Sequence, residues 1–203
     1  MKNNYEKELS ALLESLPEGE TPKLLLHSCC GPCSSYVLEY LSEFFQITLL
    51  FYNPNIQPRE EFQKRLDCQK KLLEKMDLKR PVKLMECLWR GEEFDTAVKG
   101  LEGEKEGGAR CTVCFNLRLE ETAKLAKEGG FDYFCTTLTL SPHKDAQRIN
   151  RLGKTLSEKY GVDWLPSDFK KRDGYKRSLE LSAKYGLYRQ NWCGCSYSRR
   201  REG

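Results

Sequence analysis

Seven of the ten cysteines fall in three tight groups: Cys29-Cys30-Gly31-Pro32-Cys33, Cys111-Thr112-Val113-Cys114 and Cys193-Gly194-Cys195. About 80 residues separate each group from the next. Sulfurs so close within a group and so far apart between groups act together only if the fold carries three distant turns to one place. Thiolates that converge in this way hold a metal, and seven exceed what one four-ligand site uses.

The rest of the composition narrows the setting. A chain of 203 residues, 39% hydrophobic and 11% aromatic, can bury one core and makes a single domain, 1–203. No apolar stretch approaches the length of a membrane-spanning helix, so no membrane partner is expected. Met1-Lys2-Asn3-Asn4-Tyr5-Glu6 lacks the apolar core of a secretion signal, which points to a cytoplasmic protein. Thiols stay reduced there, and clustered cysteines read as metal or redox ligands in preference to disulfides.

Apolar runs alternate with amphipathic segments. Lys23–Ser28, Ile47–Tyr52, Val82–Cys87, Tyr133–Leu138 and Val162–Leu165 read as strands. Ser34–Phe45, with Val37, Leu38, Leu41 and Phe45 on one face, reads as a helix. So do Arg59–Met76, Cys114–Lys127, Asp145–Tyr160 and Tyr175–Tyr185. Gly100–Gly108, rich in Gly and Glu, reads as a mobile loop. The order implies an α/β fold with a mostly parallel sheet and helices on both faces. In such sheets ligands sit beyond the carboxyl ends of the strands, where the turn 28–34 falls. Gly31-Pro32 is expected to form a tight turn that aims the first sulfurs at one point.

Cys111 and Cys114 stand just before the helical run Phe115–Lys127, where free N–H groups stabilise thiolates. All-sulfur ligation fits iron–sulfur or zinc. The uneven groups of three, two and two cysteines, with Cys29 and Cys30 adjacent, fit zinc less well. Cys68, Cys87 and Cys135 stand alone and read as buried small residues. His27, inside a strand, reads as a hydrogen-bonded core residue. His143, in the loop Ser141-Pro142-His143-Lys144-Asp145, is a candidate proton donor.

Charge is uneven. Residues 1–143 carry 19 Lys+Arg against 23 Asp+Glu, whereas residues 144–203 carry 15 against 7. The basic C-terminal segment, about 166–203, therefore suits a polyanion. It holds Asp168-Phe169-Lys170-Lys171-Arg172-Asp173-Gly174-Tyr175, then Leu187-Tyr188-Arg189-Gln190-Asn191-Trp192 leading into Cys193, then the tail Ser198-Arg199-Arg200-Arg201. Basic and aromatic residues beside a metal site suit a nucleic acid that presents a base to the centre. Trp192 taken alone reads as core. This segment is expected to contribute to both the metal and the RNA site.

Several of these motifs together resemble the QueH-type, cobalamin-independent epoxyqueuosine reductases. They are His27–Cys33, Arg110–Leu119, Thr136–Leu138 with Ser141–Lys144, Asp168–Lys171 with Gly174-Tyr175, and Leu187–Gln190 with Cys193–Cys195. The resemblance implies a fold similar to the adenine-nucleotide α-hydrolases (the HUP or PP-loop type). It implies a [4Fe–4S] cluster with a second, mononuclear iron, a tRNA substrate and an unidentified electron donor. The implied reaction belongs to queuosine biosynthesis: removal of the epoxide oxygen of epoxyqueuosine at the tRNA wobble position. On this basis Cys29, Cys30, Cys111 and Cys114 are assigned to the cluster, and Cys33, Cys193 and Cys195 to the second metal. Asp168 is expected to complete the second site, and His143 or Lys144 to protonate the departing oxygen. Lys170, Lys171, Arg172, Tyr175, Arg189, Arg199 and Arg200 are expected to hold the RNA. Two other readings stand beside it: an ATP-dependent tRNA thiolase, although the turn 28–33 has a single glycine with which to cradle phosphate, and a non-enzymatic zinc-stabilised RNA-binding module.

Overall fold

The computed structural model describes residues 3–198. Its frame is a five-stranded, all-parallel sheet of β1 (Lys23–His27), β2 (Gln46–Phe51), β3 (Lys83–Glu86), β4 (Tyr133–Thr136) and β5 (Asp163–Trp164). The strand order is β3-β2-β1-β4-β5. Continuous apolar runs such as Leu24-Leu25-Leu26 and Leu49-Leu50-Phe51 form the central strands because both faces of a parallel sheet are covered. Seven helices connect and flank them: α1 (Tyr5–Glu14), α2 (Gly31–Leu41), α3 (Arg59–Lys75), α4 (Gly91–Ala97), α5 (Ala109–Glu128), α6 (Ala146–Tyr160) and α7 (Gly174–Lys184).

Alternation along the strands divides the core in two. Leu24, Leu26, Ile47 and Leu49 face Leu9 and Leu13 of α1, Val37, Leu38 and Leu41 of α2, and Leu72 of α3. Leu25, Leu50 and Phe134 face Leu119 and Ala123 of α5 and Ile149 and Leu156 of α6. Each fully buried Leu or Phe contributes about 1.5–3 kcal/mol, which offsets the entropy lost on folding. Helix α7 packs on α2, so the C-terminal segment returns to the edge of the first thiol turn.

The structure corrects several expected boundaries. Helix α2 starts at Gly31, not Ser34, because Pro32 in the first turn needs no N–H acceptor and has its φ already set for a helix. Cys33 is therefore a helical residue. Helix α5 starts at Ala109, which places Cys111 and Cys114 within the helix, three apart on one side. Strand β4 ends at Thr136, whose side chain accepts the Leu138 N–H (3.2 Å) and turns residues 137–140 into a 3-10 turn. The reading above assigned no helix to Tyr5–Glu14 or Gly91–Ala97. Among the described residues, no helix is long and apolar enough to cross a membrane.

Candidate metal centre

The strand order reverses direction between β1 and β4. From β1 the chain steps outward through β2 and β3, then crosses back to β4 on the other side. The connections leaving β1 and β4 therefore diverge and leave a crevice beyond their carboxyl ends. In this crevice lies a cleft of about 520 Å³. The β1 connection brings Cys29 and Cys33 to it, and the β4 connection brings Leu140 to Lys144. Arg65 of α3, Arg118 of α5 and residues 189–193 form its other walls.

The first thiol turn is fixed from below. Ser28 and Ser34 hydroxyls lie 2.6 Å apart, and both donate to Gln69 Oε1. Asn53 Nδ2 donates to the Ser28 carbonyl at 2.7 Å. Gly31 packs directly on α3: a Cβ there would sit 3.0 Å from both the carbonyl oxygen and the sulfur of Cys68. The lone glycine thus serves close helix packing. His27 is fully buried, with Nδ1 2.8 Å from Thr136 Oγ1 and Nε2 3.1 Å from the Tyr52 carbonyl. Nε2 therefore carries the proton and donates, while Nδ1 accepts from Thr136. Burial, with the charge of Arg118, lowers its pKa to about 3, so it is neutral, as a core histidine should be.

The sulfurs of Cys29, Cys30 and Cys33 lie within 4.8 Å of one another. Cys29 and Cys30 Sγ are 3.8 Å apart. Hydrogen bonds from Cys30 and Cys33 hold the Cys29 thiol well below its usual pKa. The bond to Cys29 pushes Cys30 up to about 12, against a lowering by Cys33, and bonds to Cys29 and Cys30 raise Cys33. Gln190 Nε2 donates to Cys30 Sγ at 2.9 Å, and its buried Oε1 has no partner. The donor set is all sulfur, partly ionised and crowded. Such a set can hold a metal ion, and both nitrogens of the nearest histidine are already used.

The other four cysteines line an adjoining cavity of about 90 Å³. Cys114, Cys193 and Cys195 pack with Phe94 and Val98. A hydrogen bond from Cys195, helped by the Ser198 hydroxyl (2.8 Å), lowers Cys193 to about 5. Cys195 is raised in turn by Cys193, and burial raises Cys114. Cys193 lines both cavities and joins them. This grouping departs from the division assigned from sequence: Cys33 sits with Cys29 and Cys30, while Cys111 and Cys114 share a cavity with Cys193 and Cys195. The reason is topological. Cys33 is fixed to its own turn by α2, while α5 and the C-terminal loop meet at the far wall.

Residues 100–108, read from sequence as a mobile loop, form part of that wall. Arg110 Nη1 donates to the carbonyls of Leu101, Glu102 and Glu104 at 3.0, 2.9 and 2.6 Å. Arg148 Nη1 donates to the Gly107 carbonyl (2.7 Å) and to Thr112 Oγ1 (3.0 Å). The Gly107 N–H thereby points at Cys111 Sγ, 3.1 Å away. Two cations stand among the sulfurs. Arg118 Nε donates to the Cys114 carbonyl. Burial draws the Lys144 ammonium down, but Cys29, Cys33 and Cys193 more than offset this, and its pKa lies above the usual value.

His143, Lys144, Tyr175 and Arg189 line the main cleft. Asp168 does not. It pairs with Lys170 (2.5 Å) and borders a separate small hollow with Glu6, Tyr36 and Tyr40. Lys171 and Arg172 border the same hollow, and Arg172 pairs with Glu6 and with Ser10 Oγ of α1. These residues lie apart because the turn through Arg172 and Asp173, both at positive φ, directs them toward α1. Arg199 and Arg200 lie outside the described residues. Trp192 is half-buried on the cleft wall, not core, with the Arg65 guanidinium 5.4 Å from its ring centre. Cys68 and Cys135 are buried as expected, whereas Cys87 is half-buried beyond β3. The sequence reading missed Arg65, Arg118, Gln190 and the Gly107 amide. Arg118 and Gln190 lie inside the quoted motifs. Arg65 looks in sequence like one more charge on an exposed helix face.

A sequence model of the family described as Epoxyqueuosine reductase QueH matches residues 24–201. The chain belongs to the QueH family. Relatives bearing the name Epoxyqueuosine reductase QueH cover most or all of it. That of Staphylococcus epidermidis is 44% identical over 100% of this chain and 89% of its own length. That of Streptococcus pyogenes is 42% identical over 100% of this chain and 80% of its own. That of Thermotoga maritima is 39% identical over 86% of this chain and 89% of its own. This QueH-family chain is thus an oxidoreductase by kinship.

Proposed function

We propose that this chain is a cytoplasmic epoxyqueuosine reductase, acting on epoxyqueuosine at the wobble position of tRNA and yielding queuosine. The observation that carries this reading is one cleft bordered by two sulfur groups and by basic and aromatic residues. In the reaction both C–O bonds of the epoxide break and a C=C bond forms. Two electrons and two protons are consumed, and the oxygen leaves as water.

Cys29, Cys30 and Cys33 suit a single iron. Cys29 and Cys30 Sγ, 3.8 Å apart, match the edge of a tetrahedron with metal–sulfur bonds of about 2.3 Å, and Cys33 Sγ lies within 4.8 Å of both. Three protein ligands also leave one position open, as a catalytic metal requires. Cys111, Cys114, Cys193 and Cys195, which line one cavity, would supply the four thiolates of a [4Fe–4S] cluster. When bound, the cluster supplies electrons singly and the iron supplies a Lewis-acid position.

The chain's own groups do the rest. Tyr175, 37% exposed at the cleft, offers a stacking face for a base, and Arg189 a contact for phosphate. Trp192 and Pro142 narrow the cleft and exclude water. Lys144 keeps its proton and balances the thiolate charge. His143, exposed at the cleft edge, delivers a proton to the departing oxygen. An external electron donor completes the balance.

The test is anaerobic incubation of metal-reconstituted protein with epoxyqueuosine-containing tRNA and a chemical reductant, followed by nucleoside mass spectrometry. Queuosine formation is expected. Unchanged epoxyqueuosine, with the tRNA bound and the iron intact, contradicts the reading.

A further inference from the structure

The loop that carries Cys193 and Cys195 has no strand or long helix of its own, yet it is held tightly. The group that holds it is Arg65, which projects from α3 and is 1% exposed. Its Nη1 donates to the Cys193 carbonyl at 3.0 Å and its Nη2 to the Trp192 carbonyl at 3.3 Å. Its Nε donates to Glu61 Oε1 at 2.7 Å, which balances the buried charge. Glu61 also accepts from the Tyr188 hydroxyl at 3.1 Å, so the pair grips both ends of the segment 188–193. On the other side of Cys193 the Gln57 N–H donates to the Gly194 carbonyl at 2.9 Å. Gly194 has φ +107, and a Cβ there would lie 3.0 Å from Arg65 Nη1 and 2.9 Å from Ile56. Loop and guanidinium therefore fit each other.

We propose that Arg65, supported by Glu61, is a positioning residue that holds the third thiol group in ligand geometry before any metal binds. A buried guanidinium is costly unless it is paired and hydrogen-bonded, and here each of its three nitrogens donates one bond, two to carbonyls and one to a carboxylate. A surface arginine could not fix the loop so firmly. Losing Arg65 removes the guanidinium donor from the Cys193 carbonyl and frees the turn between Cys193 and Cys195. The inference rests on the metal-holding reading of these two cysteines, but its first measurement needs no metal.

Arg65→Met keeps the volume and removes the donors, and Arg65→Lys keeps the charge. In metal-free reduced protein, iodoacetamide labelling of each cysteine is followed by peptide mass spectrometry. Arg65→Met should raise the labelling rate of buried Cys195 about tenfold, the effect of losing a buried charged hydrogen bond. Cys29, Cys30 and Cys33 should change by less than about twofold. Arg65→Lys should restore part of the protection. In reconstituted protein, transfer of iron to a chelator should quicken by a similar factor in Arg65→Met, with far-UV circular dichroism unchanged.

Equal protection of Cys195 in Arg65→Met and wild type overturns the inference. So does labelling that rises uniformly across all the cysteines, since that marks general loosening. If Arg65→Met does not fold, Gly194→Ala and Glu61→Gln carry the test, with the same selective rise expected. A wild type that binds no iron but still shows selective Cys195 protection would sink the metal reading and leave the positioning role standing.

Discussion

At the scale of single residues, geometry separates functions that the residue types alone do not. His27 and His143 are the only histidines of the chain, and the fold gives them opposite surroundings, one in the core and one exposed at the cleft. Both nitrogens of His27 are used inside the core, so it can neither bind metal nor pass a proton. Gly31 is required by packing: Gly31→Ala should cost about 1–3 kcal/mol in urea unfolding, because its Cβ meets Cys68 backbone. A loss well under 1 kcal/mol would show that α2 and α3 move apart freely. The cysteines divide in the same way. Cys33→Ala should lose about one iron per chain and keep its acid-labile sulfide, whereas Cys114→Ala should lose most of both, by iron and sulfide assay. The opposite pattern would reverse the assignment of the two groups. These roles were legible only in part. The seven cysteines announced themselves by clustering. Their division did not, because Cys29, Cys30 and Cys33 stay together through the start of α2, a boundary that Pro32 masks in sequence. Arg65 was hidden because a buried arginine on a charged helix leaves no trace in the pattern. Asp168, expected to complete the second metal site, instead pairs with Lys170 beside a separate hollow.

At the scale of elements, what matters is which turns the sheet brings together. The parallel order was readable because apolar runs and amphipathic helices alternate at regular intervals. Helices α1 and α4 escaped because α1 is dense in charge and α4 has only seven residues. The segment 100–108 shows how composition misleads. Its glycines and glutamates suggest a free loop, but Arg110 and Arg148 bind its carbonyls and fix it over Cys111. Arg148→Ala should release that wall. Cys111 should then react with iodoacetamide several-fold faster, and amides 104–108 should exchange hydrogen sooner. Unchanged rates at both would mean that Arg110 alone holds the segment.

At the scale of the whole molecule, the chain sets an acidic N-terminal portion against a basic C-terminal one, and the cleft opens where the second meets the sheet. If the proposed RNA contacts hold, cleft residues and the 168–172 turn should make separable contributions to binding. Tyr175→Ala should weaken tRNA binding by about 1–3 kcal/mol with little change in salt slope, as expected for a lost stacking face. Reversing the charge of Lys170 and Lys171 should lower the salt slope. Equilibrium binding measured across salt concentrations checks both. A slope unchanged by the reversal would confine the RNA to the cleft side. The central claim is that the two sulfur groups hold two metal centres side by side. Iron and acid-labile sulfide counted on anaerobically prepared protein test it most directly. The account predicts about five irons and about four sulfides per chain. About four irons or fewer with matching sulfide, or zinc without sulfide, would contradict it.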